Sequence, residues 1–411
     1  MEPWNDLDTT RLVLDTIRLH GSASRGDVAR QTGLARAAVS QRVASLISVG
    51  LLQENGVGQS TGGRPPRGLR FRSEAGHILV ADLGATSIDV AIADLSDRII
   101  AHAKEPADIA KGPEAVLSRV DSMFNDLYAS TTEPIGRLWG LGLGIPGPVE
   151  FSTGRPIAPP IMPGWDGYPI RERFEARHRS RVWVDNDVNV MGIGEWRSGV
   201  SQGHLNVVWV KIGTGIGAGL ISDGLPHRGA QGAAGDVGHI QVVDEGVVCR
   251  CGNIGCLEAL AGGAALARDA ELAARSGKSD WLAAALEREG HLTAESVARG
   301  ARHGDPSSVE LLQRSGRLIG HMLASVVNLF NPSLIVIGGG VARAGDVLLA
   351  TIRETVYRRS LPLATRELQV LPTSLGDMAG VVGAAAMVAD QLFARENLAT
   401  TLANQETAGG R

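Results

Sequence analysis

The feature that most constrains the fold is a pattern that occurs twice: a strand, a turn rich in glycine and threonine, and a second strand. Residues 78–94 read ILVADLGATSIDVAIAD, and residues 206–222 read NVVWVKIGTGIGAGLIS. Glycine lets backbone N–H groups approach an anion closely, and Thr86 and Thr214 add hydroxyls. A single turn of this kind indicates little, because glycine-rich hairpins are common. Its repetition predicts two related α/β halves that face one cleft and grip the phosphates of a nucleotide from both sides.

The length of the chain requires more than one hydrophobic core. With 411 residues, the chain is expected to form two or three domains. Its composition, 44% hydrophobic and 20% charged, excludes a generally disordered or coiled-coil chain. The first residues, MEPWNDLD, contain no apolar core, and no segment approaches the roughly 20 apolar residues that cross a bilayer. We therefore expect a cytoplasmic protein that does not associate with a membrane.

Charge is distributed unevenly along the chain. Residues 9–72 contain ten arginines and three acids, a balance of +7, so the other residues carry −11 of the formal net charge of −4. A basic segment joined to an acidic body indicates that nucleic acid is the partner of that segment.

Three short helices are predicted within this basic segment. The first has an apolar face and the second begins at Ser24 and ends before Gly33, while the third lies in LARAAVSQRVASLISVG. Three helices with a glycine turn before the third form a helix-turn-helix, whose third helix enters the major groove. The residues expected to contact base edges there are Arg36, Ser40, Gln41 and Arg42. A three-helix module that binds protein is the alternative.

The residues after the third helix have the features of a β-wing. LLQENG and GLRF are typical of two strands, VGQSTGGRPPR lies between them, and residues 55–72 contain four arginines and no acid. A Gly-Arg-Pro segment is extended and slim, so Arg64 and Arg67 are predicted to enter a narrow minor groove of A·T-rich DNA. A basic Gly/Pro linker is the alternative. Its position directly after a helix-turn-helix favours DNA binding.

A second glycine-rich segment supplies candidate phosphate contacts. LIVIGGGVARAGD places Gly338, Gly339 and Gly340 between a buried strand and a helix. Backbone at the start of a helix suits nucleotide phosphates. The segment does not match GxGxxG, so a Rossmann fold has little support.

Polar residues at the end of another strand supply candidate sugar contacts. VWVDNDVNVMG contains Asp185, Asn186, Asp187 and Asn189. A carboxylate at a strand end can orient and deprotonate a sugar hydroxyl, while a neighbouring asparagine binds the next hydroxyl. The alternative is that these side chains only cap the following helix.

All three cysteines lie within the eight-residue stretch CRCGNIGC, at 249–256. Cys249, Cys251 and Cys256, together with His239, form the three-thiolate, one-imidazole set of a closed structural zinc site. An odd number of cysteines in a cytoplasmic protein disfavours disulfides. Three buried apolar thiols are the other alternative, but the glycines at 252 and 255 permit the tight loop that metal closure requires. The spacing therefore predicts one structural zinc ion.

These motifs together resemble the ROK family, which contains bacterial sugar kinases and transcriptional repressors. The motifs are DLGAT, GIPGPV, DNDVN, IGTGIGAG, GAAGDVGH, CRCGNIGCLE and IGGG, within residues 77–395. An N-terminal winged helix-turn-helix that ends in GGRPP is similar to the repressor branch, with its xylose, glucose and N-acetylglucosamine regulators. The kinases lack that domain.

The resemblance implies an α/β protein in which an N-terminal winged helix-turn-helix precedes a two-lobed actin/hexokinase-like (ribonuclease H-like) ROK body. We expect the DNA-binding domain at residues 9–73, the first lobe at 77–188 plus 379–395, and the second lobe at 189–378. The second lobe would carry the zinc site and a dimerisation surface.

Matching positions also imply roles for individual residues. The residues that would contact a sugar are Asn186, Asp187, Asp236, His239 and Glu258, and Asp187 occupies the position of the kinase general base. His239 and the three cysteines would hold zinc and so fix the loop that carries His239 and Glu258. The phosphate-binding positions, functional or vestigial, are Asp82, Gly84, Thr86, Thr214, Gly215, Gly338 and Gly339.

Three positions depart from the family pattern. Asp236 replaces the Glu that commonly precedes Gly-His and is one methylene shorter. The kinase turn DxGGT is DLGAT here, so Ala85 adds a methyl group near the phosphate path and argues against ATP with Mg²⁺. Gly262 replaces the Ser of the Glu-x-x-x-Ser continuation. Because Asp82, Asp187 and the second phosphate turn persist, residual sugar kinase activity stays open.

These features favour a sugar-responsive repressor of genes for carbohydrate uptake or catabolism, which a monosaccharide inducer releases from operator DNA. The protein would act as a homodimer or a tetramer rather than as an enzyme. The alternative is an ATP-dependent sugar kinase whose DNA-binding domain is regulatory or vestigial. Control by a phosphotransfer protein, which some relatives bind, is a third hypothesis.

Overall fold

The computed structural model describes residues 6–21, 23–57, 67–342 and 346–409. The strands are β1 (Ala23–Ser24), β2 (Leu52–Val57), β3 (Arg67–Phe71), β4 (Gly76–Leu83), β5 (Ser87–Asp94), β6 (Ile99–Pro106), β7 (Arg137–Ile145), β8 (Val149–Glu150), β9 (Arg155–Pro156), β10 (Arg181–Asn186), β11 (Val207–Ile212), β12 (Ile216–Ser222), β13 (Leu225–Pro226), β14 (Leu334–Gly338) and β15 (Gln369–Pro372). The helices are α1 (Leu7–His20), α2 (Arg25–Thr32), α3 (Arg36–Ser48), α4 (Pro113–Ser130), α5 (Ile170–His178), α6 (Asp187–Ser198), α7 (Leu257–Ala261), α8 (Gly263–Arg275), α9 (Asp280–Glu289), α10 (Ala294–Arg302), α11 (Pro306–Phe330), α12 (Asp346–Arg359), α13 (Pro362–Thr365), α14 (Ala379–Phe393) and α15 (Arg395–Gly409).

Helices α1 to α3 and a hairpin of β2 and β3 form the N-terminal unit. Ser24 and Asp27 make the capping box that starts α2, and Gly33 ends this helix in the left-handed region with φ of 71°. Strand β3 pairs with β2 on one side and with the short β1 on the other. This is the element order expected of a winged helix-turn-helix. Arg64, at the predicted tip of the wing, lies outside the described residues.

The body contains two five-stranded sheets with the same strand order. The first sheet has the order β10-β7-β4-β5-β6, and the second has the order β13-β12-β11-β14-β15. In each sheet, three consecutive antiparallel strands are followed by two parallel strands that add beside the first of the three. The pattern repeated in the sequence is therefore a repeated topology, and the prediction of two related α/β halves is confirmed.

Helix α14 packs on β4 and β7 of the first sheet and crosses α6 closely. Small residues permit the crossing, because a Cβ added to Gly383 would lie 1.7 Å from the carbonyl oxygen of Val190. Helix α6 also contacts β12 of the second sheet. Helix α6 begins at Asp187, directly after the polar end of β10, and it contacts both halves. A movement of Asp187 would therefore reach both sheets through this helix.

The N-terminal unit shares one hydrophobic core with the first sheet and α14. The rings of Phe71 in β3 and Phe393 in α14 meet edge to face with centroids 5.8 Å apart. Helix α1 packs on α15, in which Leu398 and Leu402 are buried. The N-terminal unit is therefore packed directly on the body.

Among the described residues, no single helix is long and apolar enough to cross a membrane. One bent pair, residues 376–393 and 395–403, meets the length and composition criteria together and bends by 80° at its break.

Candidate functional site

A cleft of about 1170 Å³ opens where the two glycine-rich turns meet. All five predicted sugar-binding residues line it. So do the predicted phosphate positions Asp82, Gly84, Thr86, Thr214, Gly215 and Gly339. Gly338 does not, because it ends β14 with its α-carbon against the ring of Trp209, where an added Cβ would lie 2.5 Å from the ring. Its neighbours Gly339 and Gly340 face the cleft instead.

Asn186 is the N-cap of α6. Its side-chain oxygen accepts from the Val188 N–H at 2.9 Å, and its Nδ2 donates to the Gly147 carbonyl at 2.8 Å. The capping role considered for this cluster is therefore real for Asn186. An amide offers two acceptor and two donor positions, so one of each is left for a ligand in the cleft.

The first residue of α6, Asp187, is paired with a lysine that was not predicted from the sequence. Lys211 Nζ donates to Asp187 Oδ2 at 2.5 Å, and the side chains are 22% and 4% exposed. Burial would lower the pKa of Lys211, but the charges of Asp187 and Asp82 raise it above its ordinary value. Lys211 is therefore charged in this cleft.

Asp82, at the end of β4, is a second buried carboxyl in the cleft. It is 5% exposed, and its Oδ1 has no hydrogen-bond partner among the described residues. Burial raises the pKa of Asp82 to about 7, and the charge of Lys211 opposes that rise.

Arg228 connects the two halves of the body. Its Nε donates to Asp185 Oδ2 at 2.7 Å, and its guanidinium lies 3.9 Å from the centroid of the Phe151 ring. Asp185 also accepts from Asn189 Nδ2 at 2.9 Å. Arg228 was not predicted from the sequence, because a single arginine in a loop carries no pattern.

Glu195 supports a loop that lines another side of the cleft. This carboxylate is fully buried in α6, and its Oε1 accepts from the backbone N–H groups of Ser374 and Leu375, each at 2.8 Å. Residues 373–377 line the cleft. Glu195 therefore fixes this loop relative to the helix that begins at Asp187. A buried acid within a helical apolar pattern was the available signal for it.

Glu258 and His239 lie where the second turn meets the cysteine loop. Glu258 Oε2 accepts from the Ile216 N–H at 3.0 Å, so this carboxylate supports the turn as well as lining the cleft. His239 Nδ1 lies 3.5 Å from Cys249 Sγ, and its Nε2 lies 3.9 Å from Asp236 Oδ1. One ring nitrogen thus faces the cysteines and the other faces the cleft.

His239 and the three cysteines form a group that can hold a metal ion, with all four ligand atoms within 4.8 Å of one another. The Cys251 and Cys256 sulfurs are 3.7 Å apart. Tetrahedral zinc, with Zn–S near 2.3 Å and Zn–N near 2.0 Å, requires about 3.8 Å between sulfurs and about 3.5 Å between sulfur and nitrogen. Gly255 permits the loop, since its φ is 74° and an added Cβ would lie 1.9 Å from the Val243 carbonyl. The donor set and its spacing therefore fit the ion.

On the predicted recognition helix α3, three of the four predicted residues are exposed to solvent. Arg36, Ser40 and Gln41 are exposed. Arg42 differs, because its side chain is only 12% exposed and lies 3.9 Å from Asp6 Oδ2. It is therefore not placed with the other three. Arg67 begins β3, and Arg64 is outside the described ranges.

A cluster of charges joins α1, α6 and α14. Arg18 donates to Asp390 Oδ1 at 3.1 Å, and Arg197 in the last turn of α6 donates to Asp390 Oδ2. Arg197 Nε is also 3.6 Å from Asp97 Oδ2. Asp390 therefore receives one arginine from the N-terminal unit and one from the helix that begins in the cleft.

Comparisons with known proteins agree with this architecture. The chain matches the model of the ROK family over residues 78–391. It is 32% identical over 311 residues to a glucokinase of Halalkalibacterium halodurans, which covers 75% of this chain and 94% of that protein. It is 29% identical over 382 residues to a xylose repressor of Caldicellulosiruptor bescii, which covers 93% of this chain and 95% of that protein.

The fold is also similar to a crystal structure of a ROK family transcriptional regulator, a homologue of the Escherichia coli Mlc protein. The TM-score is 0.82 at 26% identity, and the match covers 97% of this chain and 100% of that one. The matches to this regulator and to the xylose repressor cover 97% and 93% of this chain. Both matches therefore extend into the N-terminal unit.

Proposed function

Because the chain belongs to the ROK family, and because its likeness to a repressor extends through the N-terminal unit, we propose that it is a sugar-responsive, DNA-binding transcriptional regulator. It represses genes for carbohydrate uptake or catabolism until a monosaccharide binds. The observation that carries the proposal is the continuous packing between a winged-helix unit and a two-lobed body with a polar cleft.

The monosaccharide binds in the cleft and contacts five polar residues that line it, Asn186, Asp187, Asp236, His239 and Glu258. Carboxylate oxygens accept from sugar hydroxyls, and hydrogen bonds to charged groups contribute roughly 1.5–3 kcal/mol each. Asp236 has a 48% exposed side chain, so it is available to a ligand.

Asp236→Asn should therefore weaken sugar binding by roughly tenfold or more in calorimetry, since a charged acceptor is lost. The matched control is Asp244→Asn, which removes an exposed carboxylate of the same region that does not line the cleft. Equal loss in both variants would place the sugar elsewhere.

DNA is bound by the exposed face of α3. Arg36 and Gln41 can each make bidentate contacts to base edges in the major groove, and Ser40 can bind either a base or a phosphate. Arg64 and Arg67 belong to the predicted wing, which would contact the minor groove. Domain boundaries at 9–73, 77–188 plus 379–395, and 189–378 are part of this proposal.

Sugar binding reaches the DNA-binding unit through α6. This helix begins at Asp187 in the cleft and contacts Asp390 through Arg197 in its last turn. Asp390 in turn binds Arg18 of α1. Helix α6 shifts when the cleft closes. Because Arg197 of α6 and Arg18 of α1 both contact Asp390, this shift changes the ion pairs of Asp390 and therefore the position of α1. Coupling requires a difference in sugar affinity between the two states, and a closing cleft supplies one.

The metal ion is zinc, and its role is structural. Three thiolates and one imidazole leave no open position on a tetrahedral ion, so zinc would supply a fixed crosslink and no reaction chemistry. His239 would then be oriented through Nδ1, which leaves Nε2 directed at the cleft. Zinc therefore fixes the position of the loop that carries His239 and Glu258 on one side of the cleft.

The active form is a homodimer, which two winged units reading a pseudo-palindromic operator require. A surface for it lies where α11 ends beside α13. Leu329, Leu361 and Leu363 are 89%, 67% and 73% exposed there, and the Leu361 N–H donates to Asn328 Oδ1 at 3.2 Å. Neighbouring exposed leucines favour association.

The rival is an ATP-dependent sugar kinase, which the likeness to a glucokinase favours. It predicts ATP-dependent phosphorylation of a sugar, lost in Asp187→Asn. The presence of the N-terminal unit and of Ala85 in the first turn favours the regulator instead.

The decisive test is fluorescence-anisotropy binding to DNA from upstream of the protein's own coding region. Salt is held fixed, because phosphate contacts make affinity depend on it. Nanomolar binding that one monosaccharide weakens is the expected result. Tight binding that no sugar changes would favour a phosphosugar or a phosphotransfer protein as effector. Absence of specific binding would favour the kinase.

A further inference from the structure

Lys211 is a charged residue in an otherwise apolar strand, and the proposed function gives it no role. Its neighbours Val210 and Ile212 in β11 are fully buried, whereas Lys211 extends into the cleft. Its ammonium is 2.5 Å from Asp187 Oδ2. Removing two charges from water is costly, so a buried pair of this kind is weak support for stability by itself. Its location in the cleft is what requires a functional explanation.

Asp82 belongs to the same group of charges. Glycine backbone packs around it, because an added Cβ would lie 1.9 Å from its Oδ2 at Gly380 and 2.9 Å from its Oδ1 at Gly144. Its charge raises the pKa of Lys211 against the effect of burial, as does that of Asp187. Lys211 is thus bonded to Asp187 and lies within electrostatic range of Asp82.

Another lysine in the cleft contacts different carboxylates, although its charge also acts on Asp82. Lys104 Nζ lies 3.3 Å from Asp89 Oδ2 and 3.4 Å from Asp377 Oδ2. These contacts place its charge at the edge strand β6, beside residues other than Asp187. Lys211 is therefore the lysine that Asp187 contacts in the described part of the cleft.

Phosphoryl transfer from a nucleotide to a sugar makes two demands on such a cleft. A carboxylate must accept the proton of the attacking hydroxyl, and a divalent cation must bind oxygen ligands beside the phosphates. Lys211 Nζ donates to Asp187 Oδ2, so this oxygen is already engaged by a donor where a general base has to accept a proton. The positive charge of Lys211 repels a divalent cation placed near Asp82 and Asp187.

We propose that Lys211 is an internal counter-ion that makes the cleft a sugar-binding site without phosphoryl transfer. It holds Asp187 as a fixed hydrogen-bond acceptor for a sugar hydroxyl, and it takes the place of a divalent cation near Asp82. This inference rests on the proposed function, because it assumes that a sugar occupies the cleft. Lys211 is a positioning residue, since it acts on the ligand through Asp187.

The test compares wild type, Lys211→Gln and Lys211→Arg, each with zinc bound. Glutamine keeps a donor for Asp187 without the charge, and arginine keeps the charge. Mn²⁺ binding in the presence of ATP is measured by electron paramagnetic resonance, sugar binding by calorimetry and sugar phosphate by product analysis. Lys211→Gln should bind Mn²⁺ at least about tenfold more tightly than wild type and Lys211→Arg do. The double variant Lys211→Gln/Asp82→Asn should lose this gain.

Several results would overturn the proposal. They are Mn²⁺-ATP binding or sugar phosphorylation by wild type, an equal Mn²⁺ affinity in Lys211→Gln and wild type, and a gain in Lys211→Arg. Lys211→Met is the second neutral variant if Lys211→Gln does not fold, and the same outcomes apply to it. Failure of every monosaccharide to bind wild type would refute the proposed function instead, and the Mn²⁺ comparison would still decide the role of Lys211.

Discussion

Replacement of Asp82 by asparagine should remove a pH-dependent part of the protein's stability. Burial raises the pKa of Asp82 from 3.8 to about 7 in the folded protein. The folded state therefore binds this proton more tightly than the unfolded chain does. The resulting stabilisation is fully present below the unfolded pKa and is lost as the pH rises through the folded pKa. With about 1.4 kcal/mol per pKa unit, wild type should gain roughly 3 kcal/mol between pH 8 and pH 5 that the variant does not gain.

The assay is urea unfolding, followed by tryptophan fluorescence at pH 5 and pH 8. The free energy of unfolding of wild type minus that of Asp82→Asn should be larger at pH 5. Asp126→Asn is the matched control, because it removes one carboxylate whose side chain is 73% exposed. The free energy of unfolding of wild type minus that of Asp126→Asn should be the same at both pH values. A pH-independent difference for Asp82→Asn would refute the reasoning that this carboxyl group takes up a proton on folding.

Metal analysis should find about one zinc ion per chain, and Cys251→Ser should lose the ion with a lower Tm, whereas metal-free protein of unchanged Tm would contradict the assignment. Glu195→Gln should weaken sugar binding in calorimetry, because the loop that lines the cleft loses its charged acceptor. Asp390→Asn should leave sugar affinity unchanged and reduce the effect of sugar on operator affinity in anisotropy, while Asp8→Asn, which breaks an exposed ion pair, should not. Gln41→Ala should cost roughly 1–3 kcal/mol in operator binding and relax the preference at one base pair; an equal loss on every DNA would indicate a phosphate contact.

Local patterns predicted much of this fold. The capping box at Ser24 and the left-handed glycine at 33 fix α2 through contacts within a few residues. The two strand–turn–strand segments predicted two related halves, because hydrophobic strands and glycine turns are encoded locally. The cysteine spacing predicted a group that can hold a metal ion, since its loop brings three ligands together over only eight residues.

The missed features depend on contacts between distant parts of the chain. Lys211 and Asp187 are 24 residues apart, and Arg228 and Asp185 are 43 apart, so no short motif contains either pair. Arg42 is different. It directly follows Gln41, but one residue rotates the helix by about 100°, which turns Arg42 toward the side of the buried Val39 and Leu46.

The packing of Phe71 against Phe393 has a consequence for how such proteins change in evolution and in the laboratory. A winged unit cut out near residue 73 would expose the face that it buries on α14 and α15. It is therefore a poor module for recombination, even though it looks like a separable domain in the sequence. A chimaera that exchanges N-terminal units between two regulators should therefore take both ends of the chain from the same parent. The reason is that the first and last helices, α1 and α15, pack on each other.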